Sequence, residues 1–178
     1  MNPSDWIIQH RFVDLHTPWL RLIGEYITDD KEQALQYWHI EKADSVVVLP
    51  IHRQHILLPM PVYRPGIGKA TWDFPGGRVP DNHSPRTVIP SILQRELGIE
   101  PTTMSHLIPL NSVGWPVNSA FSNQHLYGFV AMLDSFAEID SALIDQRIPA
   151  TQSGVQKLRE QLTCLQCRAV LLEWWTNQ

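Results

Sequence analysis

The apolar positions of this 178-residue chain come mostly in short runs separated by turn residues, with helical spacing in only two places. Trp19-Leu20-Arg21-Leu22-Ile23-Gly24-Glu25-Tyr26-Ile27 partly alternates apolar with polar, as a half-buried strand does, and Asp29-Asp30-Lys31 supplies a turn. A return strand is predicted from Ala34 to Ile40, which gives an edge meander whose open rim a partner chain could cover. Ser45 to Ile51 is a near-continuous apolar run, the pattern of a strand buried on both faces. His55 to Met60 reads as its hairpin partner across a turn near His52-Arg53-Gln54, and Gln124 to Leu133 as a further strand. Tyr63 to Gly68 is a loop by its Gly and Pro content.

The two helical stretches differ in quality. Ser84-Pro85 makes a good start, with Ser as N-cap and Pro at the first helical position, and Gly98 makes a plausible C-cap. Pro90 lies inside this stretch, so the helix either kinks there or begins near it. At the C-terminus Val155, Leu158, Leu162, Leu165, Ala169 and Leu172 recur three and four apart, predicting one long amphipathic helix from near Thr151 or Ser153. Strands around two helices predict a mixed α/β (α+β) layered fold: one domain over residues 1–178, with strands in 1–42 and the core in 43–178.

On the first helix Val88, Ile89, Ile92, Leu93 and Leu97 fill half of the helical wheel, and Glu96 falls among them. A carboxylate in an apolar stripe is costly unless it is paired, binds a metal or faces a cleft. A buried ion pair and a ligand role are both open. Between the hairpin and this helix lies Trp72-Asp73-Phe74-Pro75-Gly76-Gly77-Arg78, whose two glycines let the backbone approach a ligand closely.

Composition narrows the function classes. A formal net charge of −4 with no basic stripe argues against nucleic acid as the partner. No apolar run reaches the ~20 residues of a membrane span, and Met1 to Trp6 lacks a secretory pattern, so a cytoplasmic protein is expected. The two cysteines, Cys164 and Cys167, are half a zinc site at most and read first as two small residues on one helix.

Gly77, five residues, His83, seven residues, then Ser91-Ile92-Leu93-Gln94-Arg95-Glu96-Leu97-Gly98-Ile99 has the length of the Nudix box, G-x5-E-x7-R-E-U-x-E-E-x-G-U. Its surroundings resemble ADP-ribose and ADP-sugar pyrophosphatases: Val62-Tyr63-Arg64 is similar to their Q-[YF]-R and Phe74-Pro75-Gly76-Gly77 to their L-P-A-G, with Phe121-Ser122-Asn123 beyond the box. The resemblance runs from about Trp6 to Ala131 and implies the Nudix fold, a mixed sheet between helices. It implies a homodimer built through the N-terminal strands, and a small-molecule nucleotide ligand. Trp19 and Trp38 would stack on adenine, and Arg64, Gly76, Gly77, Arg78 and Arg95 would line the phosphates. In the family, carboxylates at the positions of Ile92, Arg95 and Glu96 hold Mg²⁺ together with the carbonyl of Gly76.

Here the box Glu is His83, its Arg is Ser91, the next Glu is Ile92, and the first of the paired Glu is Arg95. Glu96 remains as catalytic and metal-ligating candidate, with Gly76. One reading is an ADP-ribose-like binding module with reduced or lost hydrolysis, in which Arg95, Arg64 and Arg78 pair with a diphosphate. In it Glu96 is expected to pair with Arg64 or Arg78. The alternative is a Mg²⁺-dependent hydrolase that recruits ligands outside the box from Asp73, Asp81, Glu138 or Asp140, each of which reads first as a solvated surface charge. A third is a structural subunit whose pocket Ile92 closes.

Overall fold

The computed structural model describes residues 6–139 and 142–178, so Asp140 and Met1–Asp5 lie outside the described residues. Two compact units are formed, one from the segment ending at Ala43 together with Pro116–His125, the other from Asp44–Trp115 together with Leu126–Gln178.

In the first unit β1 (Ile7–His16), β2 (Arg21–Thr28) and β3 (Ala34–Glu41) form an antiparallel meander, as the alternation predicts. Ile23, Glu25 and Ile27 share one face of β2 by the two-residue period and are all buried. Arg11 on β1 donates two hydrogen bonds to Glu25 Oε1 (2.9 and 2.8 Å), and His39 Nε2 on β3 lies 3.1 Å from Oε2. Residues 116–125 close the unit: Ile40 N–H donates to Phe121 O at 2.8 Å, and the Tyr37 hydroxyl donates to Ala120 O.

The second unit is built on a mixed sheet of β4 (Ser45–His52), β5 (His55–Pro59), β8 (Gly76–Arg78), β9 (Met104–Pro109), β10 (Trp115–Pro116), β11 (His125–Leu133) and β12 (Ile144–Pro149). A small hairpin of β6 (Val62–Arg64) and β7 (Lys69–Thr71) stands beside it. β4 is parallel to β11 and antiparallel to β5 and β8. This central position explains its apolar run: Val46, Val47, Val48 and Leu49 are all at most 5 % exposed. The β4–β5 turn is Arg53-Gln54, both at positive φ (48° and 60°), as a tight two-residue hairpin requires. His52 therefore belongs to the strand and is buried rather than being a turn residue.

The first helix, α1 (Ile89–Leu97), starts at Ile89; Pro85–Val88 is a separate 3-10 turn. Pro90 falls in the first turn of α1, where its missing N–H would have had no intrahelical acceptor, so no kink is needed. Gly98 ends the helix at φ 66°, its N–H bonding back to Gln94 and Leu93 carbonyls. Ile89, Ile92, Leu93 and Leu97 pack in one core with Val46, Val48, Leu57 and Phe129. Each such side chain removed from water contributes roughly 1.5–3 kcal/mol.

The single C-terminal helix is corrected to two, α2 (Gln152–Gln161) and α3 (Leu165–Thr176). Val155 and Leu158 are the buried apolar side chains of α2, whereas α3 buries Cys167, Val170, Leu171 and Trp174 and leaves Leu165 76 % exposed. Leu158 and Cys167 are nine residues apart, roughly 180° around a continuous wheel, so one helix could not bury both. The extended residues Leu162 and Cys164 rephase the chain.

Candidate functional site

Asp73-Phe74-Pro75 leads into β8, and β8 pairs with β4 through Gly76–Val47, Gly77–Val46 and Arg78–Ser45. A side chain would be blocked by backbone at Gly76 and would crowd movable side chains at Gly77. A Cβ on Gly76 would lie 2.8 Å from the Val46 carbonyl oxygen, and one on Gly77 would lie 3.2 Å from Ile92 Cδ1 and 3.6 Å from Arg95 Nη2. Helix α1 thus lies directly over the β8 backbone, and its Ile92, Arg95 and Glu96 meet it.

The polar contacts form a closed set. Glu96 Oε2 accepts the Gly76 N–H at 3.3 Å, and Arg95 Nη2 donates to Glu96 Oε1 at 2.7 Å and to Gly76 O at 3.3 Å. Glu96, 28 % exposed in its side chain, is paired with its neighbour in sequence, not with Arg64 or Arg78 as expected. The reason is reach: Arg64 is held by Asp73, through Nε at 2.7 Å and Nη2 at 2.6 Å, both to Oδ2.

The Mg²⁺ that the box implies does not fit these residues. The ion needs near-octahedral oxygen ligands at about 2.1 Å. The two oxygens in position for it, Glu96 Oε1 and Gly76 O, both accept from one guanidinium nitrogen of Arg95. At the third position stands Ile92, 2 % exposed and packed in the core. Elsewhere in the box His83 folds onto the Asp81 carbonyl (Nδ1 to O, 3.0 Å), and the Ser91 hydroxyl caps the Val88 carbonyl at 2.9 Å. Arg95 keeps its other N–H groups without a protein acceptor among the described residues and is 59 % exposed, so an anion can reach them.

The other candidates are distributed. Arg78 is exposed on β8 next to Gly77. In the first unit Trp19 is 68 % exposed in the β1–β2 loop, and Trp38 on β3, 41 % exposed, meets Phe12 edge to face at 5.3 Å. A cavity of about 730 Å³ elsewhere in the second unit is lined by residues including Ile51, His106, Ile108, Met132 and Trp174, with no carboxylate or thiol among its lining.

One cluster escaped the sequence reading. Asp73, Cys164 and Cys167 bring a carboxylate oxygen and two sulfurs within 4.8 Å of one another, the one such group of three potential metal ligands among the described residues. Asp73 is not a solvated surface charge: its side chain is 12 % exposed. Cys164 is the N-cap of α3, Cys167 is buried, and Phe74 N–H donates to Cys167 Sγ at 3.3 Å. The thiol hydrogen bond from Cys167, opposed by burial, holds Cys164 down at about 6, and the same bond together with burial pushes Cys167 well up. The C-x-x-C spacing was the available signal; the third member, Asp73, far away in sequence, was not visible in it.

No protein-family model matches the chain, and no curated protein sequence does. Among solved structures it is similar to one described as an ADP compounds hydrolase, with a TM-score of 0.74 and 14 % sequence identity, over 98 % of this chain and 96 % of that one. At that identity the likeness establishes the fold. The chain therefore has the Nudix fold, an α+β arrangement of mixed sheet and helices, as the box spacing and its surroundings imply.

Proposed function

We propose that this protein binds a nucleoside diphosphate joined to a second moiety, of the ADP-ribose kind, with hydrolysis reduced or lost. The observation that carries the reading is the position of Arg95: its guanidinium bridges Glu96 Oε1 and Gly76 O, the two oxygens a catalytic metal would need. A planar cation there supplies charge to a diphosphate directly, through its free N–H donors, without an ion between them. Arg78 is a second cation for the same ligand, whereas Arg64 is held by Asp73. Within the first unit, Trp19 and Trp38 have exposed aromatic faces of the kind on which a base can stack. The solved neighbour's description as a hydrolase of ADP compounds agrees in ligand class.

A screen of ADP-ribose and related nucleotides, with and without Mg²⁺ or Mn²⁺, tests this by reading thermal shift and phosphate-bond cleavage on the same samples. The expected outcome is stabilisation without cleavage. Cleavage that depends on metal and disappears in Glu96→Gln would replace the binding reading with an enzymatic one.

We also propose a homodimer through the N-terminal strands. Trp6, Ile7, Ile8 and Leu15 on and beside β1 are each about half exposed (46, 54, 59 and 54 %), an apolar edge that a second copy would cover. Light scattering at micromolar concentration should give twice the chain mass of 20.4 kDa; the single-chain mass would remove the proposal.

A further inference from the structure

We propose that Asp73, Cys164 and Cys167 form a binding site for one thiophilic divalent cation of the zinc class, separate from the nucleotide site and independent of the reading given to it. Three potential ligand atoms already converge within 4.8 Å. Tetrahedral zinc, with bonds of about 2.3 Å to sulfur and 2.0 Å to oxygen, places ligands about 3.5–3.8 Å apart. The cluster therefore needs to contract by only about 1 Å, and a water molecule can take the fourth position.

The carboxylate itself points to a missing partner. Asp73 Oδ2 accepts from Arg64 and, at 3.3 Å, from the Thr71 hydroxyl, whereas Oδ1 is buried and has no hydrogen-bond partner. Buried oxygens are rarely left so. A cation on Oδ1 satisfies it, while Arg64 orients the carboxylate from behind, as outer-shell partners of metal sites do. Phe74 N–H to Cys167 Sγ is a second interaction of that kind. Two sulfurs select a soft or borderline ion over Mg²⁺. The local backbone is suited to the role: the break before α3 leaves Cys164 extended at φ −70° and ψ 119°, and Cys167 follows one helical turn later. Occupied, the site would tie the Asp73-Phe74 segment that leads into β8 to the start of α3.

The test is a titration of the reduced full-length protein, kept in a phosphine reductant, with Zn²⁺ and with Co²⁺ as the optical probe. We expect one equivalent per chain, thiolate-to-cobalt charge-transfer absorption and tetrahedral visible bands. Cys164→Ser retains a good N-cap residue and Asp73→Asn retains the size of the side chain; each should weaken binding at least tenfold while circular dichroism stays unchanged. Stoichiometric metal with no sulfur signature, affinity unaltered in both variants, or two thiols that remain fully free to alkylation in the presence of Zn²⁺ would each overturn the site. So would a Cys164–Cys167 disulfide forming in air at the same rate with and without Zn²⁺, because bound metal must protect both sulfurs.

Discussion

Two carboxylates sit in comparable sequence settings and end in different states. Glu25 lies on β2 between Ile23 and Ile27, with a side chain 4 % exposed, and its oxygens are met by Arg11 from one neighbouring strand and His39 from the other. Glu96 lies on α1 among Ile92, Leu93 and Leu97, yet is 28 % exposed and is met by its own neighbour Arg95 and by one backbone N–H. Glu25 is closed on all sides and serves the sheet. Glu96 shares its partner with solvent, and that partner has donors to spare. A carboxylate that is itself buried and met from both neighbouring strands serves the fold; one that is partly exposed and met by a half-exposed arginine keeps donors open to solvent, as the proposed ligand site requires.

The strongest test of this contrast is Gly76→Ala, since the added Cβ meets the Val46 carbonyl oxygen at 2.8 Å, a backbone atom that cannot swing aside. A loss of about 2–3 kcal/mol in chemical denaturation is expected. The nucleotide-induced thermal shift should go with it, because the Gly76 N–H to Glu96 bond is displaced. A fully stable variant would mean that β8 does not lie so close to β4.

Glu25→Ala should cost about 2 kcal/mol, the worth of hydrogen bonds to a charged group, with nucleotide binding unchanged. If binding falls instead, the division between structural and ligand-facing carboxylates fails. The pH dependence follows from the same group. Burial alone would raise its pKa, but the hydrogen bonds from Arg11 and His39 outweigh burial and hold Glu25 below the ordinary carboxylate range. Its contribution is therefore present above the ordinary carboxylate pKa and is lost as pH falls through the lowered folded value. The stability gap between wild type and Glu25→Gln should narrow between about pH 5 and pH 2; a gap that widens over that interval would reverse the assignment.

Glu96→Gln should change stability least, by under about 1 kcal/mol, because an exposed pair is screened by water. Denaturation midpoints will show it.

The strand pattern was legible because each strand is short and bounded by turn residues, and β4 announced its central place through Val46 to Leu49. Helix α1 was legible in outline, but its start moved to Ile89 because a proline in the first turn favours initiation there. The C-terminal region misled because Leu165 keeps the period of α2 while Cys167, Val170 and Leu171 follow another phase. Glu96 stood out through the helical period, whereas Glu25 did not, although it shares strand parity with Ile23 and Ile27. Its partners Arg11 and His39 come from strand register, which no single segment reveals. The same limit hid Asp73 from Cys164 and Cys167.

In the proposed site Arg95 takes the place of the metal. Calorimetric titration of ADP-ribose into the protein, once in chelator and once in Mg²⁺, tests it most directly. The same affinity within about threefold is expected in both, with intact ligand afterwards and at least a tenfold loss for Arg95→Ala in either buffer. Binding that appears only with Mg²⁺, with Arg95→Ala binding as well as wild type, would contradict it.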